Sequence, residues 1–270
     1  SREARDHAAA DPKKPFAVLI NGWNEYTEGC YLLPDKRYQM GYLQAIANVF
    51  GRNSADKMTV ADPYSKKIVD FPAPTLEDVS YGNHYKQRMH VWLAKSKKPT
   101  PAVIYIHGGG WTINSPENCE RFCRDFALKN DAVVIAPDYR LAPEHPYPAA
   151  NDDIKTAHFW IRRNAAAIGI DKDGIFVAGD SAGGHLAISL AIDLRDFAQP
   201  SEQVAGIIAI YPATDLRENV QYESRKYFGE KFALNGELMK LYIKAYVPTP
   251  EGAVRATVIN KPLGGLPRTL

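Results

Sequence analysis

Residues 177–187 read VAGDSAGGHLA, a β-branched run, a serine held between glycines, and small residues suited to a helix. The pentad Gly179, Asp180, Ser181, Ala182, Gly183 fits G-x-S-x-G, with the apolar strand IFVA before it and a helical pattern after it. A sharp strand-to-helix turn lifts a serine Oγ above the sheet edge, and flanking glycines remove the Cβ atoms that would collide there. That chemistry is nucleophilic attack, with Ser181 as the nucleophile and the Ala182 amide turned toward any charge that develops beside Oγ. The plainer reading makes Ser181 a helix cap at a glycine-rich entry.

A second stretch, YIHGGGW (105–111), ends an apolar strand in three glycines. Consecutive glycines let backbone amides converge on one point and approach a substrate closely. Gly108 and Gly109, with Ala182, are the expected oxyanion donors, and His107 and Gly110 are expected to support the loop.

A serine nucleophile needs a histidine base and an acid to orient it, in the chain order Ser, Asp or Glu, His. Of the seven histidines (7, 84, 90, 107, 145, 158 and 185), none follows His185. His185 falls one turn into the helix after Ser181, where packing is the expected role. Asp215, in IYPATDL, ends the next strand and is the acid candidate within the chain.

The elements that must position these groups alternate in type. EDVSYG and QRMHVWLA read as an antiparallel pair. AVIYIH, AVVIAP, GIFVAG and VAGIIAIYP read as buried strands, separated by helices near 117–129, 149–166 and 182–198. Such alternation implies an α/β fold: a mostly parallel sheet with helices on both faces. The loop with Pro143, Pro146 and Pro148 is rigid, and Asp152 and Asp153 suit the first turn of the helix after it. A helical insertion is expected over about 217–246. Residues 77–270 form this domain, 52–76 a Pro-broken linker, and 1–51 a separate strand–loop–helix unit.

Composition excludes some classes. A net charge of +2 with signs interspersed argues against nucleic acid or an anionic membrane as partner. No apolar stretch approaches the ~20 residues of a membrane span. Cys30, Cys119 and Cys123 make no disulfide framework; Cys119 and Cys123 are expected to be helical neighbours with a structural role. No metal-binding, P-loop or dinucleotide motif is present, so no metal or organic cofactor is implied.

HGGGW, PDYRLAPEHPYPAA (137–150) and GDSAGGHLA together resemble the hormone-sensitive-lipase-like branch of the α/β-hydrolases, from about residue 79 onward. The resemblance implies an esterase acting on small acyl esters, with Ser181 as nucleophile and Gly108, Gly109 and Ala182 as oxyanion donors. It also implies that the triad acid and histidine lie after the strand begun by INKPLGGLPRTL, so that residues 1–270 lack both and are inactive as they stand. LINGWNEYTEGCYLLPD followed by YLQAIANVFG is similar to the last strand–loop–helix of a family 99-type glycoside hydrolase barrel. There Glu25 and Glu28, beside Trp23 and Asn24, would stand where barrel enzymes place chemistry, or would only bind sugar or shape the loop. That pairing favours small-molecule or carbohydrate esters as substrates. The rival readings are a small-ligand-binding module of the same fold and an accessory domain of a glycoside hydrolase.

Overall fold

The computed structural model describes residues 74–220, 222, 223, 225 and 234–269, together with the short pairs 24–25 and 30–31. The expected strand at 16–20, the helix after residue 38 and most of the linker lie outside the described residues. Within the stretch read as a loop, β1 (Asn24–Glu25) pairs antiparallel with β2 (Cys30–Tyr31).

The main sheet contains β3 (Leu76–Ser80), β4 (Arg88–Trp92), β5 (Thr100–Ile106), β6 (Val133–Pro137), β7 (Ile170–Asp180), β8 (Gly206–Ile210) and β9 (Arg268–Thr269). Its spatial order is β3-β4-β6-β5-β7-β8-β9. The β3–β4 and β4–β6 pairs are antiparallel, and every later pair is parallel. The central strands are apolar on both faces because both faces are covered. Along β5, Ala102, Ile104 and Ile106 join one core cluster while Val103 and Tyr105 join another; Val133 and Ile135 separate from Val134 and Ala136 on β6 in the same way. That period of two assigns each side chain to a face.

On one face lies α1 (Glu120–Asn130), preceded by a 3-10 turn at Pro116–Cys119. Cys119 and Cys123 are free and buried there with their sulfurs 3.8 Å apart. Burial pushes the Cys123 thiol well up, as for an inert packing residue. The other face carries α2 (Ala149–Asn164) and α3 (Ala182–Phe197). Helix α2 buries Ala150, Ile154, Ala157 and Ile161, a single stripe. Helix α3 is buried nearly all round, from Ala182 through Leu194, which is the pattern of a helix enclosed by its neighbours.

Three details depart from the sequence reading. Strand β7 starts at Ile170 rather than at Gly174: Thr100 pairs with Ile170 and Ala102 with Ile175, so the polar residues between them form an irregularity in the ladder. The insertion holds α4 (Gly236–Tyr246), with residues 221, 224 and 226–233 outside the described set, and a further helix, α5 (Pro250–Ala256), follows it. Asp153 does not serve the helix start. It is fully buried, and Arg140 approaches both its oxygens through Nε and NH2, the NH2–Oδ1 distance being 2.7 Å. Among the described residues no helix is long and apolar enough to cross a membrane.

Candidate active site

Ser181 ends β7 and caps α3 with φ 52° and ψ −115°, a backbone conformation disfavoured for any residue with a Cβ. Its surroundings hold it there through the backbone. The Ser181 amide donates to the Ile210 carbonyl at 2.9 Å, and its own carbonyl accepts from His185 N at 3.0 Å and Ala213 N at 3.3 Å. The half-buried hydroxyl has no hydrogen-bond partner among the described residues. The glycines are required by close approach: a Cβ on Gly183 would lie 2.0 Å from the Ile106 carbonyl oxygen, and one on Gly179 would lie 2.4 Å from Gly183 C.

The triple-glycine loop leaves β5 beside this corner. Asp180 draws the two together, its Oδ1 accepting from Gly108 N and from Tyr105 OH, each at 3.1 Å. Burial pushes the Asp180 carboxyl up, while these hydrogen bonds favour its ionised form. The Gly108 amide is thus turned toward Asp180 and docks the loop on the nucleophile turn. Gly109 follows at φ +105°, a conformation glycine adopts freely. Among the described residues neither Gly109 N nor Gly110 N donates to a protein group. Ala182 N is the first of the orphan amides at the α3 N-terminus. A cavity of about 250 Å³ adjoins this corner, lined by Tyr105, Gly108, Asn118, Phe122, Asp180 and Tyr211.

His107 is buried and props the loop. Its ring stacks on Tyr139 at 4.3 Å between centroids, Nδ1 lies 2.9 Å from the Gly108 carbonyl, and the Tyr139 hydroxyl donates to the His107 carbonyl. His185 is also wholly buried, with both ring nitrogens engaged: Trp111 Nε1 donates to Nδ1 at 3.3 Å and Nε2 donates to the Ala256 carbonyl at 2.8 Å. Burial pushes its pKa down to about 4, so the ring is neutral at pH 7.

Asp215 occupies a different setting. Arg217 donates to it from Nε at 2.9 Å and NH2 at 2.7 Å, Tyr222 OH donates at 2.7 Å, and Thr257 Oγ1 lies 3.3 Å away. These donors, Arg217 first, hold its carboxyl well below the usual carboxylate range. Leu216 N donates in turn to Thr257 Oγ1, which ties the segment after β8 to the end of α5. No histidine bonds to Asp215 among the described residues, so the structure does not bring this candidate acid to a base. Glu25 falls on β1, and Glu28 lies outside the described residues.

Trp111 and Tyr139 fall inside the motifs HGGGW and PDYRLAPEHPYPAA without a role of their own, and Tyr246 lies outside both. Their sequence signal is weak: aromatic residues beside Gly and Pro, without a period. No group of three His, Cys, Asp or Glu residues suited to a metal occurs among the described residues.

A parallel sheet with a strained serine at a glycine corner defines the class. The alpha/beta hydrolase fold family model matches residues 103–270, and the chain belongs to that family. The chain is 43% identical over 109 residues to carboxylesterase NlhH of Mycobacterium tuberculosis, which covers 40% of this chain and 34% of that protein. It is 36% identical over 115 residues to the hormone-sensitive lipase of Bos taurus, covering 43% of this chain and 15% of that protein. Among solved structures, a hyperthermophilic esterase from the archaeon Pyrobaculum calidifontis matches with a TM-score of 0.63 at 38% identity, over 67% of this chain and 59% of that one. The chain thus spans about a third or less of the length of these two curated relatives. The esterase-like matches support the hormone-sensitive-lipase-like resemblance. Residues 2–46 match a second model, glycosyltransferase WbsX, which hints only weakly at the expected family 99-type tail.

Proposed function

We propose that this domain is a carboxylic-ester hydrolase working through an acyl-Ser181 intermediate. The observation that carries the reading is the strained Ser181 backbone, with the triple-glycine loop docked through Gly108 on the adjoining Asp180. Among the described residues the amides of Gly109, Gly110 and Ala182 serve no backbone acceptor outside the helix and are assigned to the oxyanion. Ser181 Oγ attacks the ester carbonyl carbon and its proton passes to a base. The resulting oxyanion is met by these amides, each donor of this kind being worth ~3–4 kcal/mol in the transition state. The C–O bond to the alcohol then breaks, the alcohol leaves with a proton, and water hydrolyses the acyl-serine to the acid. Gly108 is assigned the role of docking the loop on Asp180. The base is none of His107, His158 and His185, whose rings are buried in contacts of their own.

The alcohol partner is proposed to be a sugar. The support is the WbsX match at residues 2–46 of the same chain, which sets a carbohydrate-related segment beside the esterase fold. A fluorophosphonate probe tests the nucleophile in the intact protein: stoichiometric labelling that disappears in Ser181→Ala is expected. No labelling of the wild type overturns the esterase reading and favours a ligand-binding module. Acetate release from an O-acetylated polysaccharide, compared with p-nitrophenyl acetate, tests the alcohol side.

A further inference from the structure

We propose that His185, acting through Trp111, is a positioning residue that sets the glycine loop in register with the nucleophile; this rests on the esterase reading above. Trp111 directly follows Gly110, so its placement fixes the end of the loop whose amides are assigned above to the oxyanion. Its backbone is left-handed at φ 61°, which a bulky residue adopts only under constraint. The Tyr246 ring stacks on the indole at 4.5 Å and 3°. Stacking fixes the plane of the indole but resists sliding within that plane only weakly. The Ala142 amide donates to the Trp111 carbonyl at 2.9 Å and holds the backbone; the directional contact of the indole is the buried hydrogen bond from Trp111 Nε1 to His185 Nδ1.

His185 belongs to the turn that holds the nucleophile, since its backbone N–H donates to the Ser181 carbonyl at 3.0 Å. One side-chain bond therefore joins the oxyanion loop to the nucleophile turn. The ring must present a lone pair on Nδ1 for the indole. The Ala256 carbonyl secures this by accepting from Nε2, which fixes the proton there. Ser189 Oγ, 3.5 Å from Nε2, is the other polar side-chain atom recorded against the ring. Two segments distant in sequence, the α3 turn and the end of α5, thus set the tautomer that holds the loop. A misplacement of about 1 Å in such a constellation can cost on the order of 100-fold in rate.

The test uses three variants of the intact protein. Trp111→Phe keeps an aromatic face for Tyr246 and removes the N–H. His185→Asn keeps an acceptor at the Nδ1 position. His185→Leu fills the space without an acceptor. In the wild type, a scalar coupling between the indole nitrogen and the imidazole Nδ1 is expected in nitrogen-15 spectra. The maximal phosphonylation rate of Ser181 is expected to fall roughly 10- to 100-fold in Trp111→Phe and His185→Leu, with the probe's half-saturation concentration unchanged. His185→Asn should stay near the wild-type rate. Folded Trp111→Phe and His185→Leu proteins that label at the wild-type rate overturn the proposal, as does a labelled wild type without the coupling. A wild type that takes no phosphonate overturns the esterase reading and the positioning role with it.

Discussion

Ser181 and Asp215 both follow the C-terminal ends of neighbouring parallel strands, and they are held in opposite ways. Ser181 is fixed by its main chain, through bonds to Ile210, His185 and Ala213, and its hydroxyl is left over. Asp215 is fixed by its side chain, through Arg217, Tyr222 and Thr257, and nothing of its carboxylate is left over. A polar group is available for reaction where the backbone bears the work of positioning it. Where the side chain itself is the anchor, the group is structural.

The largest effect expected from this contrast is on labelling. Ser181→Ala should take no fluorophosphonate and should unfold within about 1 kcal/mol of the wild type, because no side-chain bond is lost. Asp215→Ala should do the reverse. Removing this carboxylate leaves the half-exposed Arg217 and the hydroxyls of Tyr222 and Thr257 without their shared acceptor, a loss of ~1–3 kcal/mol, read as a shift in the urea midpoint. Labelling per folded molecule should change by no more than a few-fold. A drop of about 10⁴ in that rate would instead make Asp215 the triad acid, and the comparison would break.

The serine corner and the glycine loop were legible because their requirements are local. Gly179 and Gly183 stand two residues either side of Ser181, and the corner crowds them against each other: a Cβ on Gly179 would lie 2.4 Å from Gly183 C. The alternating strands were legible for the same reason, since burial on both faces writes itself into each segment as an apolar run. The bond from the Gly108 amide to Asp180 was not legible, because the two residues lie 72 apart in the chain. The Arg140–Asp153 pair and the Trp111–His185 bond are likewise properties of the assembled core. Helix α5 did leave a signal, since Thr249 caps it and Pro250 follows at the first helical position. That signal lies beyond the stretch 217–246, where the helical insertion was expected to end.

A smaller effect separates two kinds of buried ionisable group by pH. His185 and His158 are both pushed down to about 4 by burial, from an ordinary value of 6.5. The unfolded chain therefore binds protons below pH 6.5 that the folded chain refuses until about pH 4. The stability tied to their neutral forms is full above pH 6.5 and is lost as pH falls through that window, by ~3 kcal/mol for each ring. Asp215 has the opposite sign of charge and a lowered folded value. Its contribution is full above the ordinary aspartate value of 3.8 and is lost only below it. Urea unfolding should thus weaken steadily between pH 6.5 and 4 in the wild type. His158→Leu should flatten that slope, and Asp215→Asn should leave it in place.

The smallest effect tests whether the corner stores strain. At φ 52° and ψ −115° any Cβ is disfavoured, so alanine relieves nothing and glycine relieves most of it. Strain of this kind is worth ~1–3 kcal/mol, while glycine gives back ~0.4–1 kcal/mol through the greater freedom of the unfolded chain. Ser181→Gly should therefore be more stable than Ser181→Ala by about 1 kcal/mol, although both lack the nucleophile. Because the two variants differ by one methyl group and neither loses a side-chain hydrogen bond, their difference in urea midpoint isolates the backbone term. Equal midpoints would mean that Ser181 rests in its turn without cost. The contrast with Asp215 would then reduce to hydrogen bonds made and unmade, with no conformational energy held at the reactive corner.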